Sequence, residues 1–334
     1  MGTAATTSSL LAPSPHAHRI LVCVDRSPLG DRCVPFAVSL ARALHSSLVL
    51  VHVMAPRRDH AGLHTDALGW EISRQEARAD LERLQHEAEL ALDAPVEIRL
   101  EQGHPAERII ALARELHADL TVIGSHGQGG VTAWHLGSTA HQVVTVAGGS
   151  VFVARACATA VLPPRRILVP LDGSQRTESV LPTAARLAET CGAELVLLHV
   201  IQEPIPTAVL RDAVDLDLAR RLAAHLELSA TAYLERLRAG LVRDGAVIQT
   251  RIVRHASQGQ AILAVARHDH ADLIVVTAHG AACDPSRPFG TVTEELLTHA
   301  EVPLLVLQDL PEHEHQLRAL APAPAPPPRA SHPP

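Results

Sequence analysis

The sequence predicts an α/β protein made of two doubly wound parallel five-stranded sheets that form an internal pseudo-dimer. Two observations carry this prediction. The chain contains one pattern twice, so the same fold is expected twice. Each copy also alternates short, unbroken runs of Val, Leu and Ile with segments of helical periodicity, which is typical of parallel strands buried on both faces. Right-handed crossovers convert this order into a doubly wound sheet.

The internal repeat is visible at three pairs of segments. These pairs are residues 19–27 with 166–174, 47–53 with 194–200, and 118–123 with 271–276. The first two pairs lie 147 positions apart and the third lies 153 apart. The second copy is therefore expected to hold six extra residues between its second and fourth strands.

Each copy is predicted to run strand, helix, strand, long charged helix, strand, helix, strand, loop, helix and strand. The third helices are predicted at residues 105–116 and 259–268 from apolar residues at helical spacing. The long helices are predicted around residues 66–92 and 214–240, and the fifth strands at 150–154 and 303–308. The Glu and Arg residues of the long helices fit solvent-exposed salt bridges or a partner-binding surface, and the sequence leaves both open.

The predicted domain limits follow the repeat. Residues 18–156 form the first domain and residues 165–309 the second, with a short linker at 157–164. Such a short, Pro-containing linker favours two units that pack against each other. Residues 1–17 and the Pro- and Ala-rich residues 310–334 are expected to be disordered. A homodimer through exposed edges of the fifth strands is a further arrangement that the sequence leaves open.

Composition excludes several classes of protein. The 334 residues include 29 Arg and no Lys, against 36 acidic residues, for a net charge of −7. Without a basic cluster, nucleic acid is not an expected partner. The longest near-continuous apolar run, residues 195–201, is far shorter than the roughly 20 residues of a membrane span. With no signal-peptide pattern either, we expect a cytoplasmic protein without a membrane partner.

Cysteine usage also limits the chemistry. The five cysteines are an odd number without a CxxC pair. This pattern argues against a disulfide framework and against a four-thiolate zinc site. Buried, reduced thiols are the simpler interpretation.

The candidate site lies where the unusual residues of the first copy meet. In an open parallel sheet, ligands bind beyond the carboxyl ends of the strands, where the strand order reverses between the first and fourth strands. The first strand ends at Asp25 and the second at Val53. The fourth strand leads directly into the glycine-rich residues 124–130, and Gly137 with Ser138 opens the next helix.

Glycines in this loop suit an anion. A glycine lets a phosphate approach the backbone and permits a positive φ, so that successive N–H groups turn toward the anion. Gly137 and Ser138 would add the free N–H groups and the positive dipole end of a helix. The same glycines are also common where a strand turns tightly into a helix, so a purely structural role is the alternative.

The spacing of these residues resembles a known family, the tandem universal stress proteins. Nucleotide-binding members of that family carry Gly, two residues, Gly, nine residues, Gly, and then Ser or Thr. Gly124, Gly127, Gly137 and Ser138 match this spacing. The resemblance covers both copies and implies a Rossmann-like fold related to the adenine nucleotide hydrolases. It also implies a stress-response or signalling function and ATP, ADP or AMP as ligand, with or without Mg²⁺.

The resemblance also assigns roles to residues of the first copy. Asp25 and Val53 would contact the adenine ring, and Gly124 and Gly127 the ribose and phosphates. Gly137 and Ser138 would contact the phosphates. The remaining candidates line the same loop and helix start: Ser125, His126, Gly130 and Thr139. Because residues 124–139 contain neither Arg nor Lys, Arg26 is a candidate for reaching the phosphates, and affinity is expected to be modest.

The second copy departs from the pattern. Its counterparts are Asp172, Val200, Thr277, Gly280, Gly290 and Thr291, with Thr277 where the first glycine is expected. Its loop also carries Asp284, Pro285 and Pro288, which place a carboxylate and two residues without N–H donors near the phosphate position. Arg287 is a candidate to compensate. We expect the second site to be degraded.

No enzyme motif accompanies this pattern. A P-loop needs a Lys on the phosphates, and neither a GxSxG elbow nor an HExxH helix is present. We therefore expect a non-catalytic protein, with slow ATP hydrolysis through Asp25 as a less favoured alternative. A scaffold of the same fold that binds an unknown protein partner, and no nucleotide, is the main rival.

The 22 histidines do not predict a metal site. The candidate groups are His60 with His64, the segment 268–270, and the segment 313–315, and none reaches a convincing number of ligands. His52 and His199, at matching positions of the second strands, fit satisfied histidines of the core or of the edge of the site.

Overall fold

The computed structural model describes residues 18–55, 67–127, 136–146, 149–155, 163–202, 213–241, 247–282, 284 and 286–308. The predicted disordered termini, most of the linker and the site residue Gly130 lie outside these ranges. Among the described helices, none is both long enough and apolar enough to cross a membrane.

The first half follows the predicted order of elements. Its elements are β1 (Arg19–Cys23), α1 (Pro28–Leu44), β2 (Ser47–Met54), α2 (Ala67–Leu92), β3 (Glu97–Gln102), α3 (Pro105–Glu115), β4 (Leu120–Gly124), α4 (Ser138–Val146) and β5 (Ser150–Ala154).

The second half repeats this order with one difference. Its elements are β6 (Arg166–Leu171), α5 (Gln175–Glu178), α6 (Leu181–Cys191), β7 (Glu194–Gln202), α7 (Ala213–Leu241), β8 (Ile248–His255), α8 (Gln258–His268), β9 (Leu273–Thr277), α9 (Thr291–His299) and β10 (Leu304–Leu307). The single first helix predicted for this copy is divided into α5 and α6. Pro182, in the first turn of α6, cannot donate to the carbonyl of Glu178, although α1 passes Pro35 at the matching position without a break.

The ten strands form one sheet in the order β3-β2-β1-β4-β5-β10-β9-β6-β7-β8. Within each half all neighbouring strands are parallel and the first strand lies between the second and the fourth. The predicted doubly wound fold is therefore confirmed.

The two five-stranded sheets are joined edge to edge, which the sequence did not predict. β5 and β10 pair antiparallel, with Phe152 opposite Leu305. The fifth-strand edges, considered above as a route to a homodimer, are thus paired with each other inside the chain. Because an unpaired strand edge exposes backbone N–H and C=O groups, this pairing satisfies both edges at once.

Helices cover both faces of the sheet. One apolar layer packs α1, α2, α6 and α7 against side chains such as Ile20 and Val22, and it runs through both halves. The other packs α3, α4, α8 and α9 against the alternate side chains, such as Leu21 and Val49. The eight inner strands are largely buried on both sides, as their unbroken apolar runs predict, whereas the edge strands β3 and β8 are only partly buried.

Local sequence signals define several helix ends, including the starts of α1 and α3 beside the candidate site. Ser27 caps α1 by accepting a hydrogen bond from the N–H of Gly30, and Pro28 occupies the first turn. Pro105 begins α3 at the predicted position. Gly192 ends α6 in the left-handed conformation, with φ of 64°.

Arg155 links the halves beneath the sheet joint. It follows β5 and is 3% exposed, and its Nη2 donates hydrogen bonds to the carbonyls of Leu296 and Leu297 in α9. These carbonyls lie near the negative end of the helix dipole, which favours a cation. Burial lowers the pKa of Arg155 to about 10. The halves therefore share a sheet edge, two apolar layers and a buried cation.

We predict that Phe152→Ala lowers the free energy of unfolding of the whole chain by about 3–5 kcal/mol. Phe152 is 1% exposed, lies in the strand at the joint and packs on the ring of Phe36 with 4.9 Å between centroids. Urea denaturation followed by circular dichroism measures the change. Leu90→Ala, at a site 72% exposed, is the control and should change the stability by less than about 0.5 kcal/mol. Equal effects of the two substitutions would contradict the assignment of the joint.

Candidate functional site

A cleft opens at the carboxyl end of the first half, between the ends of β1, β2 and β4 and the start of α4. Its volume is about 470 Å³. Nine of the ten candidate residues are described, and all nine line it: Asp25, Val53, Gly124, Ser125, His126, Gly127, Gly137, Ser138 and Thr139. The cleft lies at the point where the strand order reverses, as expected for this fold.

The Asp25 carboxylate is held in place by the start of α1. Its Oδ1 accepts hydrogen bonds from the Ser27 backbone N–H, at 3.1 Å, and from the Ser27 hydroxyl. The same hydroxyl oxygen accepts the Gly30 N–H at 3.0 Å. One serine therefore fixes both the carboxylate at the end of β1 and the first turn of α1.

Two glycines lie close to this carboxylate. A Cβ on Gly30 would stand 2.5 Å from Asp25 Oδ1, and one on Gly127 would stand 2.6 Å from Oδ2. Real Cβ atoms are essentially never found at such distances, so a side chain at either position requires the carboxylate to shift. The second half keeps a glycine, Gly280, at the position of Gly127.

The positive φ expected in the glycine-rich loop is not found at Gly124 or Gly127, and Gly129 and Gly130 lie outside the described residues. Among described glycines, positive φ occurs at Gly103, Gly173 and Gly192. The requirement is steric instead. A Cβ on Gly124 would approach the Leu29 side chain at 3.2 Å.

The N-terminus of α4 forms the other end of the cleft. The predicted free N–H of Gly137 is not free, since it donates to the carbonyl of Ser125 at 2.7 Å. The first bond of α4 runs from the His141 N–H to the Gly137 carbonyl at 2.8 Å. The N–H groups of Ser138, Thr139 and Ala140 therefore precede the helical hydrogen bonds and have no acceptor within the helix.

Ser125 and His126 connect the two ends. Ser125 is buried, and its N–H donates to the Ala154 carbonyl at 2.8 Å, which ties the loop to β5. His126 Nδ1 lies 3.2 Å from the Ser125 hydroxyl. Both residues line the cleft as predicted.

Arg26 does not reach the cleft's phosphate end. Its Nε donates to Asp80 at 2.7 Å and its Nη2 to Glu76 at 3.1 Å, both on α2. Although burial opposes the charged form, these bonds raise the pKa of Arg26 above its ordinary value. Its backbone is left-handed, with φ of 62°, where the second half carries Gly173 at 89°.

His52 and His199 occupy matching positions and face away from the two clefts, toward α2 and α7. The Nδ1 of His52 is 2.9 Å from the carbonyl of Val24, and that of His199 is 2.8 Å from the carbonyl of Leu171. Because a carbonyl only accepts, Nδ1 carries the proton in both rings. Both histidines are satisfied by the end of a first strand, in agreement with the sequence-based interpretation.

The second cleft is about half as large, with a volume of about 240 Å³. All six predicted counterparts line it: Asp172, Val200, Thr277, Gly280, Gly290 and Thr291. Three threonines stand where the first cleft has smaller residues. Thr177 corresponds to Gly30, Thr277 to Gly124, and Thr293 to Ala140.

The hydroxyls of these threonines bond within the protein. Thr177 Oγ1 donates to Asp172 at 2.8 Å, and Thr277 Oγ1 to the carbonyl of His279 at 2.6 Å. Thr293 Oγ1 donates to the Thr277 carbonyl at 2.9 Å. The extra side chains are therefore fixed components of the wall.

The Asp172 carboxylate is partly buried and accepts three hydrogen bonds. Its Oδ1 accepts the Ser174 N–H at 2.9 Å in addition to the Thr177 hydroxyl, and its Oδ2 accepts the Ala281 N–H at 2.7 Å. Burial raises the pKa of Asp172, but the hydrogen bonds outweigh burial and the net pKa is below its usual value. Asp172 therefore remains a carboxylate, and the loop N–H of Ala281 is already used.

The loop between β9 and α9 closes the second cleft further. His279 is fully buried, and its Nε2 lies 3.0 Å from the carbonyl of Arg287. The Arg287 guanidinium pairs with Glu294 in the first turn of α9. Arg287 therefore does not supply the compensating charge considered from the sequence. Asp284 accepts the N–H and hydroxyl of Ser286, whereas Pro285 is outside the described residues.

The histidine groups considered as metal candidates are not brought together with further ligands in the described part of the chain. His268 pairs with Asp269 at 2.7 Å on the surface. Within the described ranges, no three His, Cys, Asp or Glu side chains form a group that could hold a metal ion. The segments 60–64 and 313–315 are not described.

Sequence reasoning missed three residues that shape the clefts: Gly30, Thr177 and Thr293. Gly30 lies outside the glycine-rich loop and is easily taken for an ordinary helix residue. Comparing the two copies position by position provides the signal, because the residue matched to Gly30 is Thr177. The same comparison pairs Ala140 with Thr293.

We predict that Arg26→Gly is more stable than Arg26→Ala by about 0.5–1 kcal/mol. Both variants lose the ion pairs to α2, which are partly exposed and contribute little. Only glycine adopts the left-handed backbone without the cost of a Cβ, roughly 1–2 kcal/mol, which exceeds its entropic cost of about 0.5–1 kcal/mol. Urea denaturation of the two variants measures the difference. A more stable alanine variant would refute the role of backbone strain at Arg26.

The sequence model of the Universal stress protein family matches the chain twice, at residues 16–155 and 164–308. These two segments correspond to the two halves of the sheet. Together they cover well over half of the chain.

Individual relatives agree with this match. A universal stress protein of Mycobacterium tuberculosis (strain ATCC 25618 / H37Rv) is 25% identical over 307 residues, which cover 86% of this chain and 96% of the relative. A universal stress protein of Thermus aquaticus is 33% identical over 139 residues, or 41% of this chain and 97% of the relative. The first relative spans both halves, and the second has the length of one.

Solved structures show the same fold. The crystal structure of a universal stress protein from Archaeoglobus fulgidus DSM 4304 matches with a TM-score of 0.57 at 16% identity, over 87% of this chain and 98% of that one. A functionally unknown protein from Pseudomonas aeruginosa PAO1 matches with a TM-score of 0.59 at 16% identity, over 91% and 97%. With two matched domains and full-length relatives, the chain belongs to the universal stress protein family, as a tandem member of the UspA type.

Proposed function

We propose that the first half binds an adenine nucleotide, with ATP as the main candidate, and that the protein is a non-catalytic stress-response or signalling module. One observation carries the proposal. A single open cleft joins a carboxylate and apolar side chains at one end to the N-terminus of a helix at the other. At about 470 Å³ it lies within the range of roughly 300–1,000 Å³ that is usual for small-molecule sites.

The base end of the cleft suits a purine. Val51, Val53, Ile109 and Ile123 supply apolar walls, and Asp25 supplies an acceptor. An adenine ring would bury its faces against these side chains and donate its amino hydrogens to an oxygen acceptor. The fixed position of Asp25 means that little ordering is needed when the ring binds.

The phosphate end suits an anion, although it lacks a cationic side chain. The N–H groups at the start of α4 and the hydroxyls of Ser138 and Thr139 are the donors, and Gly127 leaves room for close approach. A helix N-terminus contributes about 0.3–1 kcal/mol at an exposed site. Mg²⁺ on the phosphates would supply the missing positive charge. Affinity in the range of cellular nucleotide concentrations, rather than permanent binding, fits this donor set.

The finer parts of the proposal follow from this chemistry. With no Lys in the chain and Arg26 turned toward α2, the described part of the site lacks the cationic side chain that phosphoryl transfer uses beside Mg²⁺, so we expect slow turnover at most. We propose a cytoplasmic protein whose contacts with a protein partner depend on bound nucleotide. A scaffold that binds no nucleotide is the rival function, and the modest donor set favours it.

We predict that Mg-ATP raises the thermal unfolding temperature of the protein and that Ser138→Glu abolishes this effect. Ligand at about 100 times its Kd adds about 2.7 kcal/mol of stability. Ser138 is exposed in the first turn of α4, where a glutamate is compatible with the helix but repels phosphate. Differential scanning fluorimetry with ATP, ADP, AMP and cyclic AMP measures the shifts.

The matched control is Ser138→Gln, which has a similar shape without the charge. It should retain most of the ATP effect, and neither variant should unfold below the parent temperature when no nucleotide is present. If millimolar nucleotide leaves the parent unchanged, the scaffold function replaces the proposal. Equal shifts for parent and Ser138→Glu would place the phosphates elsewhere.

We predict that the protein hydrolyses ATP at less than about 1 per minute, because no Lys or Arg side chain of the described residues is placed to bind the phosphates. Release of inorganic phosphate from the purified protein measures the rate. At saturating ATP, Asp25→Ala should not lower any residual rate, since Asp25 is expected to bind the base and take no part in the chemical step. Faster hydrolysis that disappears in Asp25→Ala would overturn the non-catalytic assignment.

A further inference from the structure

The second cleft is built differently from the first, position by position. Where the first has Gly30, Gly124 and Ala140, the second has Thr177, Thr277 and Thr293. All three threonine hydroxyls donate to acceptors of the protein itself. The clefts differ in volume, at about 470 and 240 Å³, and these fixed threonine side chains account for much of the difference.

The phosphate end is the part that has closed. Thr277 and Thr293 lie there, and their side chains take up space that the smaller Gly124 and Ala140 leave open in the first cleft. Carboxylates also outnumber cations around this end. Beside the start of α9, Asp284 and Glu294 are acidic, and the guanidinium of Arg287 is already paired with Glu294.

The N–H groups of Thr291, Val292 and Thr293 precede the first bond of α9, as those of Ser138, Thr139 and Ala140 do in α4. A phosphate at these donors would share the cleft with the side chains of Thr277 and Thr293 and would lie near a net negative charge.

The base end has stayed open and has gained a neutral polar group. Val200, Ile262 and Val276 form its apolar wall, as their counterparts do in the first cleft. Gln258 stands in the lining where the first cleft has Pro105. A side-chain amide both donates and accepts hydrogen bonds without carrying charge. It therefore matches the edge of an uncharged heterocycle.

We infer that the second cleft binds an uncharged nucleoside or nucleobase and rejects its phosphorylated forms. The size of the cleft, below the roughly 300 Å³ of ordinary ligand sites, sets the limit on the ligand. Gln258 recognises the ring edge, and the threonine wall with its surrounding carboxylates excludes phosphate. The choice of a purine, adenosine, rests on the proposed function of the first half. The chain would then bind a nucleotide in one half and its dephosphorylated form in the other.

A methyl NMR titration of the full chain tests this inference, because the repeat provides matched reporters. Ile109 lines the first cleft and Ile262 lines the second at the corresponding position. Isoleucine δ1-methyl groups are labelled and assigned with Ile109→Val and Ile262→Val. Adenosine and Mg-ATP are titrated separately. We expect adenosine to shift the Ile262 signal, and Mg-ATP to shift Ile109 while acting on Ile262 about tenfold more weakly than adenosine, or not at all.

Two variants locate the effect. Gln258→Leu should weaken adenosine binding at Ile262 by roughly three- to tenfold, the effect of one neutral hydrogen bond, and leave the Ile109 response to ATP unchanged. Thr277→Gly should bring the response of Ile262 to Mg-ATP closer to that for adenosine, because it restores the glycine of the first cleft. Each variant counts as correctly folded if its methyl signals outside the second cleft match those of the parent.

The outcomes separate this inference from the proposed function. If millimolar adenosine leaves Ile262 unmoved, or if Mg-ATP acts there as strongly as adenosine, the inference is overturned whatever happens at Ile109. If Ile109 ignores Mg-ATP while Ile262 responds to adenosine, the proposed function of the first half fails and the inference about the second cleft is supported.

Discussion

The carboxylate that follows the first strand of each half constrains everything built around it. Asp25 and Asp172 lie where the strand order reverses, and hydrogen bonds from the start of the next helix hold both side chains. Because each carboxylate lies against the loop after the fourth strand, Gly127 and Gly280 have no space for a Cβ. The loop must therefore pass close to the strand end. This proximity brings the N-terminus of the last helix to the same cleft.

From this shared constraint the halves have diverged. The first keeps small residues around the carboxylate and an open cleft, whereas the second fills the same positions with threonines that bond to the protein. The joint between the halves does not depend on either cleft. β5 pairs with β10, and Arg155 reaches the end of α9, so the second half contributes the partner edge that a single half would lack.

Much of the fold could be predicted from the sequence, because its signals are local. Apolar runs marked the strands, and Pro105 and Gly137 marked the helix starts within one residue. Features that depend on distant segments could not be predicted. The pairing of Phe152 with Leu305 joins strands about 150 residues apart, and apolar runs carry no signal for which edges meet. The direction of Arg26 likewise depends on where α2 places its carboxylates.

The site shows the same division. The spacing of glycines located the cleft, but it gave the wrong reason for Gly127, which lies against Asp25 and has no positive φ. The same pattern predicted a free N–H at Gly137, but this group donates to the Ser125 carbonyl. The measurement that tests the account most directly is isothermal titration calorimetry of the full chain with Mg-ATP. The account predicts one ATP per chain, and two bound molecules, or none, would contradict it.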